Sequence, residues 1–145
     1  MPESIPINYL AVLVAAISNM VIGFLWYGPL FGKPWSRLMG WGEMTPERQK
    51  EMQKKMMPGY AITFVGALLM AYVMAHSMVF AMEYLKITGI AAGLQGGFWN
   101  WLGFIVPVTV GVVIWENKPW KLWAINAGYY LVVLLIMGII LALWR

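Results

Sequence analysis

The chain has 145 residues, of which 61% are hydrophobic and 11% charged, with a formal net charge of +4; soluble domains average roughly 45–50% apolar and about 25% charged. Such a balance excludes an ordinary soluble domain and marks an integral membrane protein. With no cysteine in the chain, disulfides, thiolate metal sites, a cysteine nucleophile and covalent haem attachment are excluded as well.

Four stretches carry almost no charge, at about 8–27, 59–82, 90–115 and 120–144. Each is long enough to cross a hydrocarbon core of about 30 Å at 1.5 Å per residue. The opening MPESIPI has Glu3 and neither Lys nor Arg, unlike the basic start of a cleavable signal peptide, so the first stretch is expected to remain as a span. Residues 1–145 therefore read as a single all-α domain, an integral membrane four-helix bundle with an amphipathic loop over 28–58.

In the first span Ala11, Ala15, Asn19 and Gly23 recur every fourth residue, a small-residue stripe that lets helix backbones approach closely. It leaves the membrane through GFLWYGPLFGKPW, where Trp26 and Tyr27 are expected as interfacial anchors and Gly28 with Pro29 end the span. In the loop, KPWSRLMGWG places Pro34 at a helix start and Trp35, Leu38 and Met39 on an apolar stripe. TPERQKEMQKKMMPG then offers Thr45 as N-cap, Pro46 at the first position, acids early and lysines late. Two short interfacial helices are expected, the second lying on anionic lipid headgroups.

Lys33, Arg37, Arg48, Lys50, Lys54 and Lys55 in the first loop, with Lys118 and Lys121 in the third, stand against only Lys86 and Arg145 on the other side. The excess of basic residues puts the first and third loops in the cytoplasm and both termini outside. The expected location is a bacterial inner membrane, with membrane lipids as the surroundings.

The second span carries His76, the only histidine. A lone imidazole does not make a metal site, and the nearest acid at helical spacing is Glu83, seven positions on. The third span carries a Gly89, Gly93, Gly97 ladder beside Asn100, and Pro107 is expected to kink it. The fourth contributes Asn126, Tyr129 and Tyr130. Trp115, Trp120 and Trp144 sit where spans should end, as anchors at headgroup level.

By residue counting, Asn19 and Asn100 both lie about 15–16 Å below the outer surface. The first and third spans are therefore expected to pack together, with these two amides facing the bundle interior. The exits GFLWYGPLFGKPW and GVVIWENKPWKLW also share a Gly, a Trp and a Lys-Pro-Trp, which reads more simply as the same exit chemistry used twice than as a repeat.

The stretches LWYGPLFGKPW (Leu25–Trp35), NWLGF (Asn100–Phe104), AINAGY (Ala124–Tyr129) and IMGIILALW (Ile136–Trp144), with Asn8 near the start, carry a resemblance to a family of small bacterial four-span membrane proteins whose shared domain has no assigned function. The resemblance spans essentially the whole chain. It implies fold and membrane location, and it brings no activity and no catalytic residue.

No Asp, Glu, Lys or Arg falls at mid-membrane depth, which speaks against a carboxylate proton relay or a voltage sensor. No Ser-His-acid set, HExxH or P-loop is present, so no enzyme, cofactor or metal is expected, nor a nucleic-acid partner. Two functions fit. One is a small homo-oligomeric transporter or channel-like protein, with Asn19, Asn100, Asn126, Tyr129 and His76 lining a polar path. The other is a non-catalytic accessory or structural subunit docking on a larger membrane complex or lipid.

Overall fold

A computed structural model describes residues 4–145; the Glu3 of the opening segment lies outside them. The described residues are helical nearly throughout, and four helices are long and apolar enough to cross a membrane.

Helix α1 runs Tyr9–Leu25 and continues as a wider π-type turn over Trp26–Leu30. Its start is fixed by Asn8, whose Oδ1 accepts the backbone N–H groups of Leu10 and Ala11 at 3.1 and 3.2 Å, satisfying two donors that a helix end leaves free. Helix α2, Gly32–Leu38, is the expected short loop helix, closed by Gly40 at φ 79° and followed by a tight turn over Trp41–Glu43.

Helix α3 spans Pro46–Leu85, 40 residues, starting where expected with Thr45 accepting from the Arg48 N–H. The basic stretch after Thr45 is thus not a separate interfacial helix. It is continuous with the second span through Pro58. Proline removes one internal hydrogen bond, but the good helix formers Gln, Glu, Lys and Met before it, and the hydrocarbon beyond it, which penalises unpaired backbone groups, carry the helix across despite Gly59.

The third span is segmented. Helix α4, Gly89–Asn100, passes into a second π-type turn over Trp101–Ile105, then short helices α5 (Val106–Thr109) and α6 (Gly111–Ile114). The break expected at Pro107 begins one turn earlier, because the proline ring crowds the carbonyl four residues back and a widened turn relieves it. Both π-type turns open on a related sequence, WYGPL and WLGFI. This pairing, rather than the Lys-Pro-Trp exits, is the internal correspondence between the two spans.

Helix α7, Trp120–Leu143, is the centre of the bundle. It packs on α4 along one side and α1 on another, while α3 packs mainly on α1. The expected pairing of the first and third spans is therefore corrected, since α7 lies between them. In lipid there is no apolar driving force between helices, so backbones that approach closest win. Gly93 and Gly97 supply that approach, but to α7. A methyl group on Gly93 would stand 2.6 Å from Ile139 Cα, and one on Gly97 2.7 Å from the Leu134 carbonyl carbon. Gly138 of α7 lies against the Gly93 carbonyl in return.

Gly89 does not join this contact. It opens α4 at φ 66° with free space around it, so its role is the turn from Lys86, itself at φ 55°. Ala11 and Ala15 are fully buried in the core shared by α1, α3 and α7.

Gly93→Ala should destabilise the fold by about 1–3 kcal/mol, because the added methyl meets backbone that cannot give way. Gly66→Ala, where a methyl meets open space, should be neutral or stabilising by about 0.5–1 kcal/mol. Unfolding of the purified variants in detergent, followed by helicity, separates the two.

Candidate functional site

The segment Ala124–Tyr129 of α7 is where the motif-bearing stretches meet. The indole N–H of Trp26, at the start of the first π-type turn, donates to the Ile125 carbonyl at 2.9 Å. The indole N–H of Trp101, at the start of the second, donates to the Ala127 carbonyl at 2.8 Å. Two carbonyls two residues apart, and so on opposite sides of the helix, are thus held by matching tryptophans from the helices on either side. Gly128 makes room for the first of these, since a methyl there would lie 3.3 Å from the Trp26 ring.

Side-chain pairs fill the rest of the cluster. The Tyr129 hydroxyl donates to Asn19 Oδ1 and lies 3.2 Å from the Asn19 carbonyl oxygen. Asn19 is only 3% exposed, so this pairing is what lets an amide sit in an apolar interior. Gly23 completes the stripe by leaving space for the same hydroxyl, 3.1 Å from where its methyl would be. The Tyr27 hydroxyl donates to Asn126 Oδ1 at 2.8 Å.

Aromatic rings tie the loop to this cluster. Trp41 meets Trp35 at 5.1 Å, Trp35 meets Tyr27 at 5.4 Å, Tyr27 meets Tyr129 at 5.1 Å and Tyr129 meets Tyr130 at 5.0 Å between ring centres. The steps are edge-to-face or tilted, the arrangements favoured by ring quadrupoles. On the far side of α7, Trp123 donates to Thr109 Oγ1 at 3.0 Å, and Thr109 donates to the Ile105 carbonyl at 2.6 Å, so the segmented part of the third span is also held.

The sequence-derived candidates therefore separate into three places. Asn19, Asn126 and Tyr129 belong to the cluster, with Gly23, Trp26 and Tyr27. Asn100 is on α4, its amide donating to the Gly96 carbonyl one turn back at 2.7 Å, facing a cleft beside α3. His76 is on α3, with Nδ1 2.8 Å from the Tyr72 carbonyl and its ring 4.3 Å from that of Tyr72.

Trp26, Tyr27 and Trp35, expected as simple anchors, are half-buried and bonded or stacked within the protein. Trp115, Trp120 and Trp144 remain exposed. Among the described residues, no three His, Asp or Glu side chains gather closely enough to hold a metal ion.

Three contributors were not anticipated as partners: Trp101, Gly128 and Gly138. Their signal was present in the shared W-x-G-x-[L/I] of the two π-type turns and in the glycines at 128 and 138, but it needs the identity of the facing helix to be read.

With four helices long and apolar enough to cross a membrane, joined through a hydrogen-bonded polar cluster, the molecule is a multi-pass membrane protein. The chain belongs to the family described as "Protein of unknown function (DUF1761)", whose model matches residues 10–142. No curated protein and no solved structure matches it.

Tyr129→Phe strands the buried Asn19 amide and should cost about 1–3 kcal/mol. Asn19→Leu combined with Tyr129→Phe should cost less than the sum of the two single changes, because each single change already breaks the pair. A double-mutant cycle on detergent unfolding gives the coupling directly, and strict additivity would show that the bond contributes nothing.

Proposed function

We propose that this chain is a non-catalytic accessory or structural subunit of the bacterial inner membrane, with its basic loops in the cytoplasm and both termini outside, docking on a larger membrane complex. The observation that carries this reading is the pairing inside the bundle. Tyr129 bonds Asn19, Tyr27 bonds Asn126, and the two indoles bond α7 carbonyls. Such pairs rigidify a helix bundle, and their hydroxyl and indole hydrogens are committed to protein partners rather than to a polar solute.

A transporter requires Asn19, Asn100, Asn126, Tyr129 and His76 to line one path, whereas Asn100 and His76 bond to carbonyls of their own helices. Docking has a candidate surface in the third span, of whose apolar window only 6% is buried, against 44% for α7.

Extraction from native membranes into lipid nanodiscs without detergent is the test. The reading expects a second, larger membrane protein in fixed stoichiometry, lost when Phe104 and Val108 on the exposed face are both changed to Ala. Recovery of the chain alone, as a monomer or as a homo-oligomer, would overturn it.

A further inference from the structure

The positive charge of the chain is collected at one end. Of its ten basic side chains, Lys33, Arg37, Arg48, Lys50, Lys54, Lys55, Lys118 and Lys121 belong to the first and third loops and the helix ends beside them. All of these are exposed. Among the described residues the one ion pair joins Lys86 to Glu83 at 2.6 Å, on the opposite end of the bundle. The basic end therefore carries its charge without ion pairs, even though Glu43, Glu47, Glu51 and Glu116 are close in sequence.

Height separates these cations into two groups. Counted from Tyr9, Lys33 stands about 36 Å along the first span, and counted from Trp144, Lys121 stands about 35 Å along α7. Both values exceed the hydrocarbon core of about 30 Å and fall inside a full bilayer thickness of about 40–45 Å. Arg48 and Lys50 stand about 56 and 53 Å from Leu85 along α3. The tip of that helix is thus past the phosphate layer, and Glu47 and Glu51 halve the formal charge of its basic stretch.

Helix α2 is held at the phosphate level by its inner face. The chain leaves helical geometry at Phe31, with φ −121° and ψ 9°. Trp35 then packs on Tyr27 with 5.4 Å between ring centres, and Tyr27 is itself bonded to Asn126 of α7. Lys33 and Arg37 are about one turn apart and share a face, whereas Trp35 lies on the opposite side of the helix. The tryptophan thus fixes the helix and turns both cations outward. No acid stands between Lys33 and Gly42.

Two cations one turn apart, fixed at phosphate depth and free of carboxylates, are complementary to a phosphate group. Arginine presents paired N–H donors to two phosphate oxygens, and lysine adds a point charge. We propose that the outer face of α2 binds the headgroup of an anionic phospholipid through Lys33 and Arg37, with Lys118 and Lys121 adding to the positive field at that end. The lipid contact expected of the basic stretch after Thr45 passes in this way to α2. The site does not depend on the docking reading, because it is read in purified protein without a partner.

The test reconstitutes the full chain in phosphatidylcholine vesicles carrying a trace of spin-labelled phosphatidylglycerol or spin-labelled phosphatidylcholine. Electron spin resonance gives the fraction of each lipid held at the protein surface. One basic contact is worth about fivefold locally, which averaging over the lipids around the protein reduces to a preference of about twofold for phosphatidylglycerol. The preference should vanish in 1 M salt, where the screening length falls to about 3 Å. Lys33→Gln with Arg37→Gln should remove most of it, while Arg48→Gln with Lys50→Gln at the tip of α3, and Lys86→Gln at the other end, should leave it in place.

Equal retention of the two lipids by the unaltered protein overturns the proposal. So does a preference that survives the double change on α2, or one that disappears with the double change at the tip of α3. Inorganic phosphate should displace the lipid no more than chloride does at the same ionic strength; stronger displacement assigns the face to a free phosphate and also overturns the proposal. Should the α2 double variant fail to insert, Lys33→Gln alone decides the matter, with a partial loss expected and no loss counting against the site.

Discussion

Close approach of the α4 backbone to α7 at Gly93, Gly97 and Gly138 sets the positions of everything else in the bundle. Within hydrocarbon, exchanging lipid contacts for Leu or Ile contacts gains little, so helices need either interpenetrating backbones or hydrogen bonds between them. The glycines supply the first. With the axis of the third span fixed against α7, the Trp101 indole reaches the Ala127 carbonyl, and the segmented stretch beyond it is secured by Trp123 and Thr109.

The first span solves the same problem with different means. Its stripe buries two alanines and an amide and ends on a half-buried glycine, and the amide is made acceptable by Tyr129 while the glycine admits that tyrosine's hydroxyl. One turn later Trp26 and Tyr27 engage Ile125 and Asn126. Two parallel helices thus grip a third through tryptophans that each begin a widened turn. A π-type turn leaves the local hydrogen-bond ladder out of step, and both contain a glycine, with a proline inside the first and just after the second. The shared sequence and the shared contact suggest one solution used on both flanks of α7.

Much of this was legible from residue order. The four apolar stretches, the Thr45 start and the break around Pro107 follow from hydropathy, capping and proline chemistry, which act locally. The small-residue stripes were equally visible. Their partners were not, because a glycine ladder states that a backbone will come close without stating whose. Depth counting matched Asn19 with Asn100 since both sit at mid-membrane height, yet height is one coordinate of three, and α7 stands between them. The tryptophans show a related limit. An indole near a span end suits the headgroup layer, and residue order alone does not show that Trp26 also bonds the facing Ile125 carbonyl.

The uninterrupted helix through Pro58 has a mechanical meaning. Forty residues make a rod about 60 Å long at 1.5 Å per residue, roughly twice the hydrocarbon thickness. Its first quarter carries Arg48, Lys50, Lys54 and Lys55 and is tied near the tip by Gln49, whose amide donates to the Trp41 carbonyl at 3.1 Å. The second span is therefore longer than the bilayer requires, and the same helix that crosses the membrane carries a positively charged arm beyond the hydrocarbon edge.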